Sequence, residues 1–137
     1  VLGRFTHMGV DPYSLVAALN GIVAQRLVRV NCPDCAVADV PSAELLAESR
    51  LSDVSGFQFR AGRGCASCRG TGFKGRKAVA EVLLLDDELR EMIVTKEPVR
   101  RVKEAAHRKG TRVLREVGMD LVRLGETTLQ ELNRVVR

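Results

Sequence analysis

Four cysteines in two pairs, Cys32-Pro33-Asp34-Cys35 and Cys65-Ala66-Ser67-Cys68, constrain this chain more than any other feature. At C-x-x-C spacing, two thiolates of one tight turn reach the same cation, and two such turns complete a tetrahedron. Zn²⁺ prefers four soft ligands at about 2.3 Å, and a four-cysteine set leaves no open position for water, so one structural zinc ion is expected rather than a catalytic one. Gly64, Gly70 and Gly72 beside the second pair allow positive φ and leave backbone N–H groups free to point at the sulfurs. Arg69, Lys74, Arg76 and Lys77 lie close in sequence and would offset the double negative charge of a zinc tetrathiolate.

Three other chemistries use cysteine pairs. A thioredoxin-like motif needs one C-x-x-C opening a helix after a strand, and neither pair has that setting. Disulfides could join the same residues, but the chain reads as cytoplasmic, where thiols stay reduced. An iron–sulfur cluster also takes four cysteines and is separated from zinc by spectroscopy. Between the pairs, the large apolar residues are mainly Leu45, Leu46, Leu51, Phe57 and Phe59, too few to fold alone. The segment is therefore expected to need its metal.

With 137 residues and 45% apolar side chains the chain has material for a packed core, and with 4% aromatic residues and no Trp that core must be aliphatic, which favours helical layers. Asp11 as cap and Pro12 at N1 open a helix whose apolar stripe runs from Leu15 to Val30, with Gly21 allowing another element to come close. Arg26 and Arg29 would complement its C-terminal dipole, and Cys32-Pro33 would stop it. Pro41-Ser42 begins a short helix through Leu45, Leu46 and Leu51, Phe57–Phe59 alternates as a strand, and 76–85 reads as a buried strand ended by Asp86-Asp87. Four helices come next: around Leu89, Met92 and Ile93; from Pro98 to Gly110; from Val113 to Gly125; and from Thr128, where Glu131 three residues on makes a capping-box pattern. The fold class expected is α+β, predominantly helical.

A net charge of +5 and a pI near 9.4 suit nucleic acid, an acidic membrane surface or an acidic protein, and equally an ordinary soluble domain. The chain has no apolar run long enough for a membrane span and no signal-peptide pattern, so a cytoplasmic location is expected. It starts on Val1 rather than Met, as a piece of a longer polypeptide would. Gly70-Thr71-Gly72-Phe73-Lys74-Gly75-Arg76 has neither the spacing nor the Lys-Ser/Thr of a phosphate-binding loop. His7 and His107 belong to no Ser-His-Asp or Cys-His set, so no catalytic residue is assigned.

Met8-Gly9-Val10-Asp11-Pro12, then Ala24-Gln25-Arg26-Leu27-Val28-Arg29-Val30-Asn31 leading into the first cysteine pair, resembles the secretion ATPases of the type II secretion and type IV pilus assembly family. The stretch 64–76 is similar to that family's second knuckle, Glu81-Val82-Leu83 with 86–90 to the segment just C-terminal of that knuckle, and 125–132 to the family's closing helix. The resemblance implies a hexameric, RecA-like ATPase on the cytoplasmic face of the bacterial inner membrane, using ATP and magnesium. Residues 1–31 would finish the RecA-like core, 32–75 would be a tetracysteine zinc insert, and 76–137 would be a strand plus a C-terminal helical subdomain. The phosphate-binding, Asp, Walker B and His boxes of the family would lie upstream, so this chain alone is not expected to hydrolyse ATP.

The spacing of the cysteine pairs is more similar to the type II secretion branch. Arg76 resembles a basic family position at a subunit interface or an acidic lipid, with balance of the zinc thiolates as the alternative. Partners implied are the rest of the parent ATPase, its other subunits and inner-membrane secretion proteins. Against this stands a zinc ribbon that binds nucleic acid through Arg69, Lys74, Arg76 and Lys77, with Phe73 as its one aromatic. The unit Cys65-x-x-Cys68-x-Gly70-x-Gly72 also matches chaperone-type zinc domains, but the first pair lacks the glycines that would complete a second such unit.

Overall fold

The computed structural model describes residues 2–136. Val1 and Arg137, the outer ends of the first and last expected spans, lie outside the described residues. After α1 (Leu2–His7), Asp11 accepts a hydrogen bond from Ser14 N at 2.9 Å and caps α2 (Pro12–Ala18), as expected. The helix does not continue to Val30. Leu19 is extended, and Gly21–Asn31 forms strand β1. The run is rich in β-branched Ile22, Val23, Val28 and Val30, which fit a pleated surface better than a helix, and it has a partner strand in β4 (Phe73–Leu84). Arg26 and Arg29 therefore cap no helix. Gly21 does admit a close neighbour, since a Cβ there would lie 3.0 Å from the carbonyl oxygen of Leu83.

Between β1 and β4 come β2 (Ala36–Ala38), α3 (Ala43–Glu48, capped by Ser42) and β3 (Arg60–Gly62). β2 and β3 pair antiparallel, Ala36 opposite Gly62 and Ala38 opposite Arg60. The strand expected at Phe57–Phe59 starts only at Arg60. The two Phe rings stack instead, centroids 5.0 Å apart, and pack against the core around Val28. Strand β4 begins three residues before its expected start and buries only Val79, because each sheet has just two strands and gives its members little cover.

The four helices expected after β4 are all present: α4 (Asp87–Val94), α5 (Val99–Arg108), α6 (Leu114–Arg123) and α7 (Leu129–Val135). Asp86 and Thr128 cap α4 and α7. The result is a mixed α/β chain in which helix outweighs strand.

It divides into two compact units. One joins residues 1–24 and 81–113, with Leu85, Leu89, Val102, Ala105 and Ala106 as its core. The other joins 25–80 and 114–137, with Val28, Val79, Val122, Leu129, Leu132 and Val136 buried together. Gly118 lets α6 and α7 meet closely, since a Cβ there would fall 2.3 Å from Leu132 Cδ1. Arg115 fastens α3 to the same unit by donating to Ser49 O (3.1 Å), Asn133 Oδ1 (3.0 Å) and Val136 O (3.2 Å).

Candidate metal centre

Each cysteine pair sits on a turn next to the small β2–β3 ribbon. Cys35 immediately precedes β2, and Cys65 lies three residues beyond β3, so the antiparallel register brings the turns together. Within the first, the N–H groups of Cys35 (3.3 Å) and Ala36 (2.9 Å) donate to Cys32 O. In the second, Gly70 N donates to Cys65 O at 2.9 Å, and Thr71 ties its hydroxyl to Cys68 O at 2.7 Å. Cys32 N donates across to Gly72 O at 2.8 Å.

All four Sγ atoms lie within 4.8 Å of one another. Cys32–Cys65, Cys35–Cys68 and Cys65–Cys68 are separated by 3.9, 3.8 and 3.7 Å. A regular tetrahedron with Zn–S bonds of about 2.3 Å has edges of about 3.8 Å, so these separations suit a shared ion, and they are far beyond an S–S bond of about 2.05 Å. All four cysteines are free thiols. Cys32 and Cys68 are buried, while Cys35 and Cys65 are half-buried.

Backbone donors favour a sulfur anion at Cys68. Cys68 Sγ accepts the N–H of Cys65 at 3.2 Å and of Gly72 at 3.3 Å, the second being one of the donors expected from the glycines. Burial works against its thiolate, but those N–H groups and the thiols of Cys65 and Cys35 outweigh it and hold Cys68 down to about 6. Burial pushes Cys35 up to about 12, opposed by the Gly64 N–H and reinforced by the other three thiols. One thiolate is thus easy to form and the next is resisted. A cation between the sulfurs is what would allow all four to ionise.

Two features of the cradle escaped the sequence reading. A Cβ on Gly62 would stand 2.0 Å from Gly72 O, so the two backbones touch where β3 passes the second knuckle. Asn31, buried beside Cys32, donates through Nδ2 to Arg60 O (2.8 Å) and Gly125 O (3.0 Å), holding the ribbon to the turn before α7. A glycine at the end of a strand and a polar residue beside Cys32 were the available signals.

The matching family model, for Type II/IV secretion system proteins, spans residues 1–134. This chain belongs to that family. A type IV pilus assembly ATPase, PilB of Thermus thermophilus, is 44% identical over 94% of the chain, and the type II secretion system ATPase E of Vibrio cholerae is 36% identical over 98%. HxcR, a type II secretion system protein of Pseudomonas aeruginosa, is 34% identical over 98%. The chain spans only 15%, 26% and 25% of these relatives' lengths. Secretion and pilus proteins of the family both match over almost all of it.

The basic residues flanking the second knuckle are partly engaged. Lys74 Nζ donates to Ser67 Oγ at 2.6 Å and lies 3.6 Å from Asp34, and Lys77 is paired with Glu126. Arg76 is exposed on β4. The ring of Phe73 carries the guanidinium of Arg29 4.2 Å above its centre, so that face is not open to a stacked base. No helix among the described residues is long and apolar enough to cross a membrane.

Proposed function

We propose that Cys32, Cys35, Cys65 and Cys68 bind one structural zinc ion as thiolates, and that the chain is the metal-bearing part of a nucleotide-driven motor for type II secretion or type IV pilus assembly. The observation that carries the metal reading is the sulfur geometry, with all four sulfurs within 4.8 Å of one another and three of their six separations at 3.7–3.9 Å against a tetrahedral edge of about 3.8 Å. A closed tetrathiolate offers no site for substrate, so the metal's contribution is shape, presenting a protein-facing surface.

The finer assignments rest on the resemblance and the family. They are a RecA-like core completed by residues 1–31, a zinc insert at 32–75, a C-terminal subdomain at 76–137, and a parent hexamer that uses ATP and magnesium at the cytoplasmic face of the inner membrane. The type II branch is favoured by cysteine spacing, with inner-membrane secretion proteins as partners. Arg76, exposed on the surface of β4, is the residue proposed to meet a neighbouring subunit or acidic lipid.

Elemental analysis of untreated protein is expected to find about one zinc per chain, with X-ray absorption giving four sulfurs at about 2.3 Å. Protein without metal that also fails to take up added zinc would sink the reading. Iron with a visible charge-transfer spectrum would replace it by the cluster chemistry.

A further inference from the structure

Among the described residues, Glu131 is the one acidic residue in the buried set, with no side-chain exposure, and it is tied by five hydrogen bonds. Arg29 contributes its backbone N–H (3.0 Å), Nε (3.0 Å) and Nη2 (2.7 Å), and Arg134 adds Nε (2.9 Å) and Nη2 (2.7 Å). The capping-box pattern is thus only half used. Thr128 Oγ1 accepts Glu131 N at 3.2 Å, but the carboxylate turns away from the cap to join β1 to α7.

Arg29 is held from a second side, away from α7. Its guanidinium lies over the Phe73 ring at 4.2 Å, and Phe73 is next in the chain to Gly72, whose N–H points at Cys68 Sγ and whose carbonyl receives Cys32 N–H. Sulfur, glycine, aromatic ring, guanidinium and buried carboxylate therefore form one run of contacts inside a single compact unit.

We propose that Phe73 couples the metal site to the last helix: with the four sulfurs held, the ring is fixed as a platform for Arg29, and Arg29 in turn clamps Glu131 and α7. Phe73 and Arg29 are positioning residues in this scheme. An exposed cation over an aromatic face is a modest attraction that works only if the ring stays put, which is why the state of the knuckle matters to it. The inference rests on the proposal that the four cysteines bind zinc.

The test is hydrogen exchange across 129–135, read on the zinc-loaded chain and after chelation, with zinc content measured on each sample. Chelation of the wild type is expected to speed exchange of α7 by about tenfold or more. In Phe73→Leu that difference should shrink to about threefold or less, while Phe73→Tyr, which keeps the ring face, retains it. If Phe73→Leu does not fold, Arg29→Lys serves instead, because an ammonium cannot both stack flat and fork onto the carboxylate. Unchanged α7 exchange on removal of stoichiometric zinc overturns the coupling, as does a full zinc effect in Phe73→Leu or in Arg29→Lys. A chain that binds no zinc overturns the metal reading and the coupling with it.

Discussion

Between Asp87 and Arg108, two helices bury Leu89, Val102, Ala105 and Ala106, and their order comes from apolar side chains removed from water. Between Cys32 and Phe73 the chain is longer, yet its buried residues are Cys32, Ser49, Cys68 and Gly72. There Leu45, Leu46, Leu51, Phe57 and Phe59 reach the core around Val28 only half-buried, and the knuckles themselves are ordered by backbone bonds, by glycines that touch, and by four sulfurs facing one point. The contrast shows how a segment too poor in large apolar residues to collapse can still take a defined shape. It gathers four sulfurs at one point, and if they take an ion as proposed, its binding free energy becomes folding free energy.

Removing one ligand should separate the two regions most sharply. Cys68→Ser is expected to abolish stoichiometric zinc binding and to strip exchange protection from the segments around residues 32–38 and 60–73, while α4 and α5 keep theirs. Structural zinc contributes on the order of 10 kcal/mol in small metal-folded modules, far more than the knuckle backbone supplies alone. Hydrogen exchange with zinc analysis reads both halves, and knuckles that stay protected without metal would break the comparison.

The reverse experiment is Leu89→Ala, which empties a fully buried site in the α4–α5 core. Such truncations cost about 2–5 kcal/mol through lost transfer and a residual cavity. Thermal unfolding should show that loss, and zinc content should remain at one per chain. A loss of metal here would mean that the knuckles depend on the apolar core.

Glu131 tests whether an ion pair can do the work of a core residue. Burial opposes its charge, but hydrogen bonds from Arg134 and Arg29 hold its carboxyl down to about 2, from an ordinary value of 4.5. A depressed carboxylate contributes stability that is complete above about 4.5 and is lost as pH falls through about 2. Glu131→Gln is expected to cost about 1–2 kcal/mol at neutral pH, below the usual loss for a buried pair because Arg29 and Arg134 remain exposed enough to be solvated. It should also flatten the acid limb of the stability curve of the metal-free chain, a change that denaturant titrations at several pH values would detect.

What could be read from the residues divides along the same line. Helices α5 to α7 were legible because caps and stops are local chemistry: Pro98, Thr128, Gly110 and Gly125 mark their ends whatever lies elsewhere, while α4 is legible in its apolar spacing, and Asp86, which in the sequence marks only the end of a strand, also caps it. The gathering of the four cysteines was legible because C-x-x-C spacing is also local. β1 was not, since the stripe from Leu15 to Val30 satisfies a helix as well as a strand until β4 is there to pair with it. Glu131 has the spacing of a capping box, and nothing nearby in sequence announces Arg29, which lies 102 residues away. Gly62 went unnoticed for the same reason, its neighbour Gly72 being close only once the chain has folded.

The smallest expected effect concerns the caps, which differ in kind between the two units. Helices α2 and α4 are capped by carboxylates, Asp11 and Asp86, whereas α3 and α7 are capped by hydroxyls, Ser42 and Thr128. Asp86 titrates below its ordinary range, first because Lys109 donates to it and then because Leu89 N–H does, at 3.0 Å. Its contribution is therefore present above about pH 3.8 and fades as pH falls through the lower folded value, while a hydroxyl cap has nothing to lose in that window. Asp86→Asn keeps a good capping residue but removes the titration and one of the two carboxylate partners of Lys109, Glu88 being the other. Stability at neutral pH should change little, and the acid-dependent shift of the Leu89 amide resonance should disappear, with the Glu131 amide, capped by Thr128, unchanged by the substitution. An amide of Leu89 that still titrates in Asp86→Asn would place the acid sensitivity of α4 elsewhere than on its cap, and the contrast between carboxylate-capped and hydroxyl-capped units would fall.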